Sequence, residues 1–331
     1  MDCMDIYFTD DYCRIYEKNG EGTFESFYME CSCGKVIYKY LVRRIELPGE
    51  KGYFDITAPY GYGGPLFFPC EGADRKKLVL EFKERFEEYC RERNIVTEFI
   101  RFHPLMRNHE YMDYCMDVIY NRDTVYMDLS SPGIIWDNMH SKCRNRVRKA
   151  QKSGVVIEID NSLESLGKFM ELYYTTMKRN GADLYYYFSN NYFNNLFELL
   201  KDNAYIFNAL YDGRVIASSV ILKYGDYLNY HLSGTDYRYI RFAPVNLLLY
   251  EAALWGSRQG CKYFHLGGGY RENDDSLFEF KKKFSKDGIS KFFIGRKIHD
   301  EEHYKILVDK WERLNGERKT ERLDFFPLYR R

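Results

Sequence analysis

Three observations predict a mixed α/β (α+β) protein of two domains, each a mostly antiparallel sheet flanked by helices. The order strand, strand, strand, loop, helix, strand occurs twice, over about residues 24–102 and again over about 204–266, which reads as a structural repeat without obvious sequence identity. The 331 residues suffice for two ordinary cores. Between the two copies lies a basic segment, Ser141-Lys142-Cys143-Arg144-Asn145-Arg146-Val147-Arg148-Lys149-Ala150-Gln151-Lys152-Ser153-Gly154-Val155, which reads as a helix joining different-looking halves.

In the first copy, residues 23–31 and 36–45 have strand character around a turn at Cys33-Gly34-Lys35, so a hairpin follows. Residues 53–57 make a third strand. The next stretch, 58–65, is too rich in Gly and Pro for regular structure and reads as a rigid loop that exposes its backbone. Leu78, Phe82, Phe86 and Cys90 fall on one face of a helix over 74–93, and 95–102 is the strand behind it. Residues 124–129 form one more strand, and Ser131-Pro132 looks like an N-cap with proline at N1.

In the joint, Ser141 is the expected N-cap and Gly154 the left-handed stop. Cys143, Val147 and Ala150 share a narrow apolar stripe, and cations fill the rest of the circumference. Helices are expected over 162–178 and 190–201. Strands over 204–211, 214–223 and 227–233 are linked by Asp212-Gly213 and Gly225-Asp226, both suited to two-residue hairpins. A helix opening at Pro244 leads to a strand over 262–266 that ends in Gly267-Gly268-Gly269-Tyr270. A lysine-rich segment over 276–284, a strand over 289–294 and an amphipathic stretch over 301–314 complete the chain. The last has no obvious partner in the second domain, so it is expected to fold back on the first. The expected division is therefore 1–140 plus about 300–331, a linking helix over 141–154, and 155–299.

Charge is balanced, with 49 basic and 49 acidic residues, so no global field draws the protein to nucleic acid or membrane, and any anion site must be local. Asp2, Asp5, Asp10 and Asp11 interrupt every early apolar run, and no window offers the ~20 apolar residues of a membrane span, so a cytoplasmic protein is expected. Nine cysteines lack a framework spacing. Cys31-Ser32-Cys33 has neither a second pair nor a nearby His, so reduced thiols and no metal are expected.

The element order resembles the acyltransferase fold of the GCN5-related N-acetyltransferase superfamily, and two such units narrow the likeness. The joint is similar to the segment S-K-x-R-N-x-[IV]-R-K-A-x-K-x-G-V that Fem-family peptidoglycan-bridge aminoacyltransferases carry between tandem domains. Thr124-Val125-Tyr126-Met127-Asp128-Leu129 resembles the family's T-V-x-x-D-L strand, residues 262–268 its Gly-Gly strand end, and Phe278-Glu279-Phe280-Lys281-Lys282-Lys283-Phe284 its L-x-x-F-K-x-x-F element. The resemblance covers roughly 50–300 and looks like the short, armless type. It implies a cytoplasmic enzyme that takes an aminoacyl group from aminoacyl-tRNA to an amine of a cell-wall precursor, with acceptor binding in the first domain, acyl transfer in the second and no cofactor. The chain departs from the family pattern in the expanded loop Pro59-Tyr60-Gly61-Tyr62-Gly63-Gly64-Pro65, which lacks a basic residue, and in the tyrosines that follow Thr176-Met177-Lys178-Arg179.

Aminoacyl transfer needs an amine brought to an activated carbonyl, and positive charge or N–H donors for the developing oxyanion. The resemblance places a functional lysine at Lys281; the other reading of Lys281 to Lys283 is a solvated face. Gly267 and Gly268, with Tyr270, allow close backbone approach at a strand end, or form a plain turn. Tyr60, Gly61, Gly63 and Gly64 can cradle a sugar or diphosphate, or be a structural turn. Arg179 and Arg241 are candidate anion contacts, and His231 is a candidate cleft residue or a core one. Arg144, Arg146, Arg148 and Lys149 engage tRNA phosphates or form a solvated face. An acyl-CoA-dependent N-acyltransferase, with acetyl-CoA or another acyl-CoA as donor, is the alternative. Against it, Arg241 in Arg238-Tyr239-Ile240-Arg241-Phe242-Ala243-Pro244 replaces the glycine of a coenzyme A pyrophosphate loop, and Pro244 removes an N–H. A non-catalytic binding protein that keeps the fold is the third reading.

Overall fold

The computed structural model describes residues 4–160, 163–269, 275–316 and 325–331, and the chain divides into two compact units. The first comprises residues 7–121 and 291–331; the second comprises 122–290 with the N-terminal residues up to Ile6.

The first unit opens on α1 (Asp10–Lys18), a helix that the sequence pattern did not announce. Its acids, Asp10 and Asp11, sit in the first turn, where the helix dipole favours them, and Tyr12, Cys13, Ile15 and Tyr16 form its buried face. Thr9 caps it by accepting from the Tyr12 N–H. β1 (Thr23–Cys31) and β2 (Gly34–Arg44) pair as the expected hairpin, and β3 (Phe54–Thr57) adds to β2 antiparallel. β4 (Leu66–Pro69), which the sequence did not announce, pairs with the start of β2. α2 (Arg75–Glu92), capped by Asp74, buries Leu78, Phe82, Phe86 and Cys90 as its spacing requires. β5 (Ile95–Arg101) then lies parallel to β3.

β6 (Asp117–Asp128) starts in the first unit and ends in the second. α3 (Pro132–Asn138) is capped by Ser131 with Pro at N1. α4 (Ser141–Lys152) is the basic helix. Two expectations need correction here. His140, not Ser141, is its N-cap, and no side chain caps it. The helix is also not a linker between domains. Cys143, Val147 and Ala150 are fully buried with Leu247, Leu248 and Phe264 in the second unit's core, which therefore begins near residue 122. Burial of Val147 alone contributes roughly 1.5–2 kcal/mol, enough to fix the helix to that core. Gly154, at φ +82°, ends the helix, and the Val155 N–H closes back on the Ala150 carbonyl.

β7 (Val156–Asp160), α5 (Leu166–Arg179) and α6 (Asn190–Leu200) precede the second copy of the pattern. β8 (Ala204–Tyr211), β9 (Arg214–Tyr224) and β10 (Tyr227–Thr235) form two hairpins, the first turning at Asp212 and Gly213, both at positive φ. α7 (Pro244–Arg258) leads to β11 (Tyr263–Gly267), which lies parallel to β10. In each unit, then, the third strand of the repeat runs parallel to the strand after the helix, while the neighbouring pairs are antiparallel. The strand order in the second unit is β6-β11-β10-β9-β8-β7. β10 slips register against β9 between Tyr230 and Leu232, a bulge in the middle of the sheet.

α8 (Ser276–Lys282) closes the second unit. β12 (Ile289–Ile298) pairs antiparallel with β5, and α9 (Glu301–Asn315) packs Leu307 and Val308 on Ile45, Val96 and Tyr329, so the chain end completes the first unit. There the buried Asp55 carboxylate accepts from Arg43 Nε at 2.7 Å, Arg330 Nε at 2.5 Å and the Tyr329 hydroxyl at 3.2 Å. No helix among the described residues is long and apolar enough to cross a membrane.

Candidate active site

Lys281 lies on α8, a short helix whose N-cap, Asp275, accepts from the Leu277 and Phe278 N–H groups. The rings of Phe280 and Phe284 meet edge to face at 5.3 Å, and Phe284 is wholly buried. The lysine is only 8 % exposed. Its Nζ donates to the Gly268 carbonyl at 2.7 Å and sits 5.7 Å from the centre of the Tyr230 ring. Burial lowers its pKa from the ordinary 10.5 to about 8, against the opposing pull of Asp275. An amine in this state is available both as a cation and as a proton acceptor near neutral pH.

The glycine run is the surface against which these groups pack. Gly267 has φ +77°, and a Cβ there would stand 3.4 Å from Lys281 Nζ; one on Gly269 would overlap the Asp275 carboxylate at 2.0 Å. The run therefore does more than turn the chain: it gives a buried amine access to a strand-end carbonyl.

In front of this wall lies a cleft of about 890 Å³ within the second unit. Tyr230, Ser233 and Thr235 of β10, Thr176 and Arg179 of α5, Leu277 and Phe280 of α8, and the start of α7 surround it. Lys142, Arg146 and Lys149 enter from α4, and Arg179, Arg241 and Lys283 from three other segments. Among the described residues, six cations line this one space and no Asp or Glu does. Lys281 itself stands behind the lining, next to Tyr230.

The structure thus brings together Lys281, Gly267 and Gly268, and places Arg146, Lys149, Arg179 and Arg241 on one cleft. Three other candidates have different roles. Arg144 Nη1 donates to the Met139 carbonyl at 2.6 Å and caps the end of α3, and Arg148 stacks over Trp136 at 5.0 Å. His231 is a core residue: its Nε2 meets the Tyr192 hydroxyl at 2.8 Å, burial lowers its pKa to about 3, and it does not line the cleft. Tyr270 lies outside the described residues. Tyr60, Gly61, Gly63 and Gly64 belong to the first unit, where packing accounts for them. A Cβ on Gly61 would strike the Tyr7 ring at 2.4 Å, the Gly61 carbonyl accepts from Arg101, that of Gly63 from Asn108, and that of Tyr60 from Tyr12.

Sequence reasoning missed Tyr230, Lys283 and Asn246 as cleft residues. Tyr230 had a readable signal in its place on the central strand, but the neighbouring bulge, which shifts the inward-facing set, had none. The segment before α7 is also informative. Its N–H groups are largely used internally: Arg238 N–H by Asp236, Tyr239 N–H by the Asp236 carbonyl and Ala243 N–H by the Ile240 carbonyl, and Pro244 has none.

Residues 137–282 match the family model described as Acetyltransferase (GNAT) domain. A UDP-N-acetylmuramoylpentapeptide-lysine N(6)-alanyltransferase of Weissella viridescens is 29% identical over 172 residues, 51% of this chain and 50% of that protein. The match thus spans about half the length of that relative. Among solved structures, the crystal structure of FemX has a TM-score of 0.71 at 13% identity, covering 91% of this chain and 94% of its own. L-PGS from Bacillus licheniformis has a TM-score of 0.52 at 12% identity, covering 93% and 97%. The second unit therefore carries an acetyltransferase (GNAT) domain. Over 91% of its length the chain shares the fold of FemX, and about half of it is similar in sequence to the Weissella viridescens alanyltransferase.

Proposed function

We propose that the protein is an aminoacyltransferase that moves an aminoacyl group from an aminoacyl-tRNA to an amine of a peptidoglycan precursor in the cytoplasm, without a cofactor. The observation that carries this reading is a desolvated lysine at a glycine strand end, directly behind a cleft lined by six cations. The acceptor amine attacks the ester carbonyl, an amide bond forms, the bond to the ribose oxygen breaks, and that oxygen leaves with a proton. Lys281 in its charged form offsets the oxyanion and can supply that proton; in its neutral form it can take one from the attacking amine. Lys142, Arg146 and Lys149 of α4, with Arg179 and Arg241, hold phosphates of the donor.

An acyl-CoA donor is the second reading, favoured by the fold alone. The internally bonded N–H groups of Arg238, Tyr239 and Ala243 weigh against it, since pyrophosphate binding at a helix start needs such groups free. The test is to incubate the protein with mixed charged tRNAs, acetyl-CoA and cell-wall precursors, and to follow donors and products by mass spectrometry. Consumption of charged tRNA with an aminoacylated precursor is the expected result. Acylation from acetyl-CoA alone would replace this reading with the second.

A further inference from the structure

Arg122, on β6, is not part of the cleft lining, yet it reaches the strand end on which Lys281 rests. Its Nη1 donates to the Gly269 carbonyl at 2.8 Å. Its aliphatic stem lies along Gly268, where a Cβ would meet Arg122 Cδ at 3.0 Å. One residue earlier, the Gly268 carbonyl accepts from Lys281 Nζ. A glycine pair has little stiffness of its own, so the direction of the Gly268 carbonyl depends on what holds the backbone on either side. On one side it is the end of β11; on the other it is Arg122.

We propose that Arg122 is a positioning residue that acts through the Gly268-Gly269 backbone to fix the Lys281 amine at the wall of the cleft. This rests on the assignment of Lys281 to the transfer reaction. Among the described residues, the groups that face Lys281 are Asp275 at the head of α8, the Tyr230 ring on β10 and the Gly268 carbonyl, and Arg122 reaches it through the Gly269 backbone. Freeing Gly269 lets the carbonyl swing and water reach the amine, which relieves the burial that depresses its basicity.

The experiment compares Arg122→Met, which keeps the stem and removes the guanidinium, with Arg122→Lys, which restores a donor, and with Lys281→Ala. Two quantities are read on the full-length protein after thermal melts establish folding: transfer kinetics, and the reactivity of Lys281 toward acetic anhydride from about pH 6 to about pH 11, quantified by peptide mass spectrometry. Arg122→Met is expected to lower kcat about tenfold with KM within about twofold, and to move the titration of Lys281 upward toward that of an ordinary lysine. Arg122→Lys is expected to recover part of both. An unmoved labelling curve in folded Arg122→Met, or kcat within twofold of the parent, overturns the proposal. Full turnover by Lys281→Ala instead overturns the assignment of Lys281, and the labelling curve still decides whether Arg122 orients the amine.

Discussion

Replacing Lys281 by methionine, which fills the same space without the charge, tests whether the lysine is desolvated as its surroundings require. A lysine whose folded pKa is depressed costs stability in full at low pH, because the unfolded chain holds a proton that the folded one resists. The cost is withdrawn as pH rises from the folded value, about 8, through the unfolded value of 10.5. Over that interval the native protein binds fewer protons than the unfolded chain, so stability rises with pH. Those two values place the penalty near 3 kcal/mol at pH 7 and about 1 kcal/mol at pH 10, a change on the order of 2 kcal/mol. The hydrogen bond that methionine cannot give to Gly268 is a separate loss, but it is nearly the same at both pH values and cancels in the comparison. Urea unfolding of the parent and Lys281→Met at pH 7 and pH 10 therefore isolates the titration. The variant's stability relative to the parent is expected to fall by on the order of 2 kcal/mol between the two. Equal differences at both pH values would mean that Lys281 is as solvated as in the unfolded chain, and the argument for a primed amine would collapse.

Gly267→Ala should lower stability by about 1 kcal/mol, because an alanine at φ +77° is strained; urea titration checks it. Asp55→Asn removes the charge that Arg43 and Arg330 share. With both arginines about a quarter exposed, the loss should be about 2 kcal/mol, read as a lowered urea midpoint. Arg146→Gln with Lys149→Gln should weaken binding of charged tRNA and flatten its logarithmic salt slope by about 1.4, as for two lost phosphate contacts to a single strand. Arg148→Gln, whose parent side chain stacks on Trp136 away from the cleft, should leave the slope unchanged; a slope that responds to Arg148 and not to the cleft pair would misplace the donor.

Elements with strong local codes were legible in the chain. The Asp212-Gly213 turn adopts positive φ at both residues, Asp74 and Ser131 cap the helices they precede, and the doubled strand order emerges with a parallel pair in the same place in each unit. What escaped was decided by partners distant in sequence. α1 looked polar because its first turn is acidic, while its buried face is largely tyrosine and becomes recognisable only once packed. The basic helix read as a joint because its apolar stripe is narrow; that stripe is enough to place it wholly in the second core.

The site divided in the same way. Lys281 was singled out through its resemblance to the family's L-x-x-F-K-x-x-F element, but its depressed basicity comes from burial, which spacing does not reveal. Of the four cations singled out on the basic helix, two line the cleft and two are held by α3 and Trp136, a distinction set by the helix's rotation on its core. The loop glycines of the first unit have the composition of a phosphate cradle, yet the Tyr7 and Arg101 side chains account for their conformation.

The most direct test of the central claim is a single-turnover experiment with tRNA carrying a radiolabelled amino acid, a cell-wall precursor bearing a free amine, and either the parent protein or Lys281→Ala. The account predicts label in the precursor with the parent and a rate lower by about a hundredfold or more with the folded variant. Label that stays on the tRNA with the parent, or equal transfer by both proteins, would contradict it.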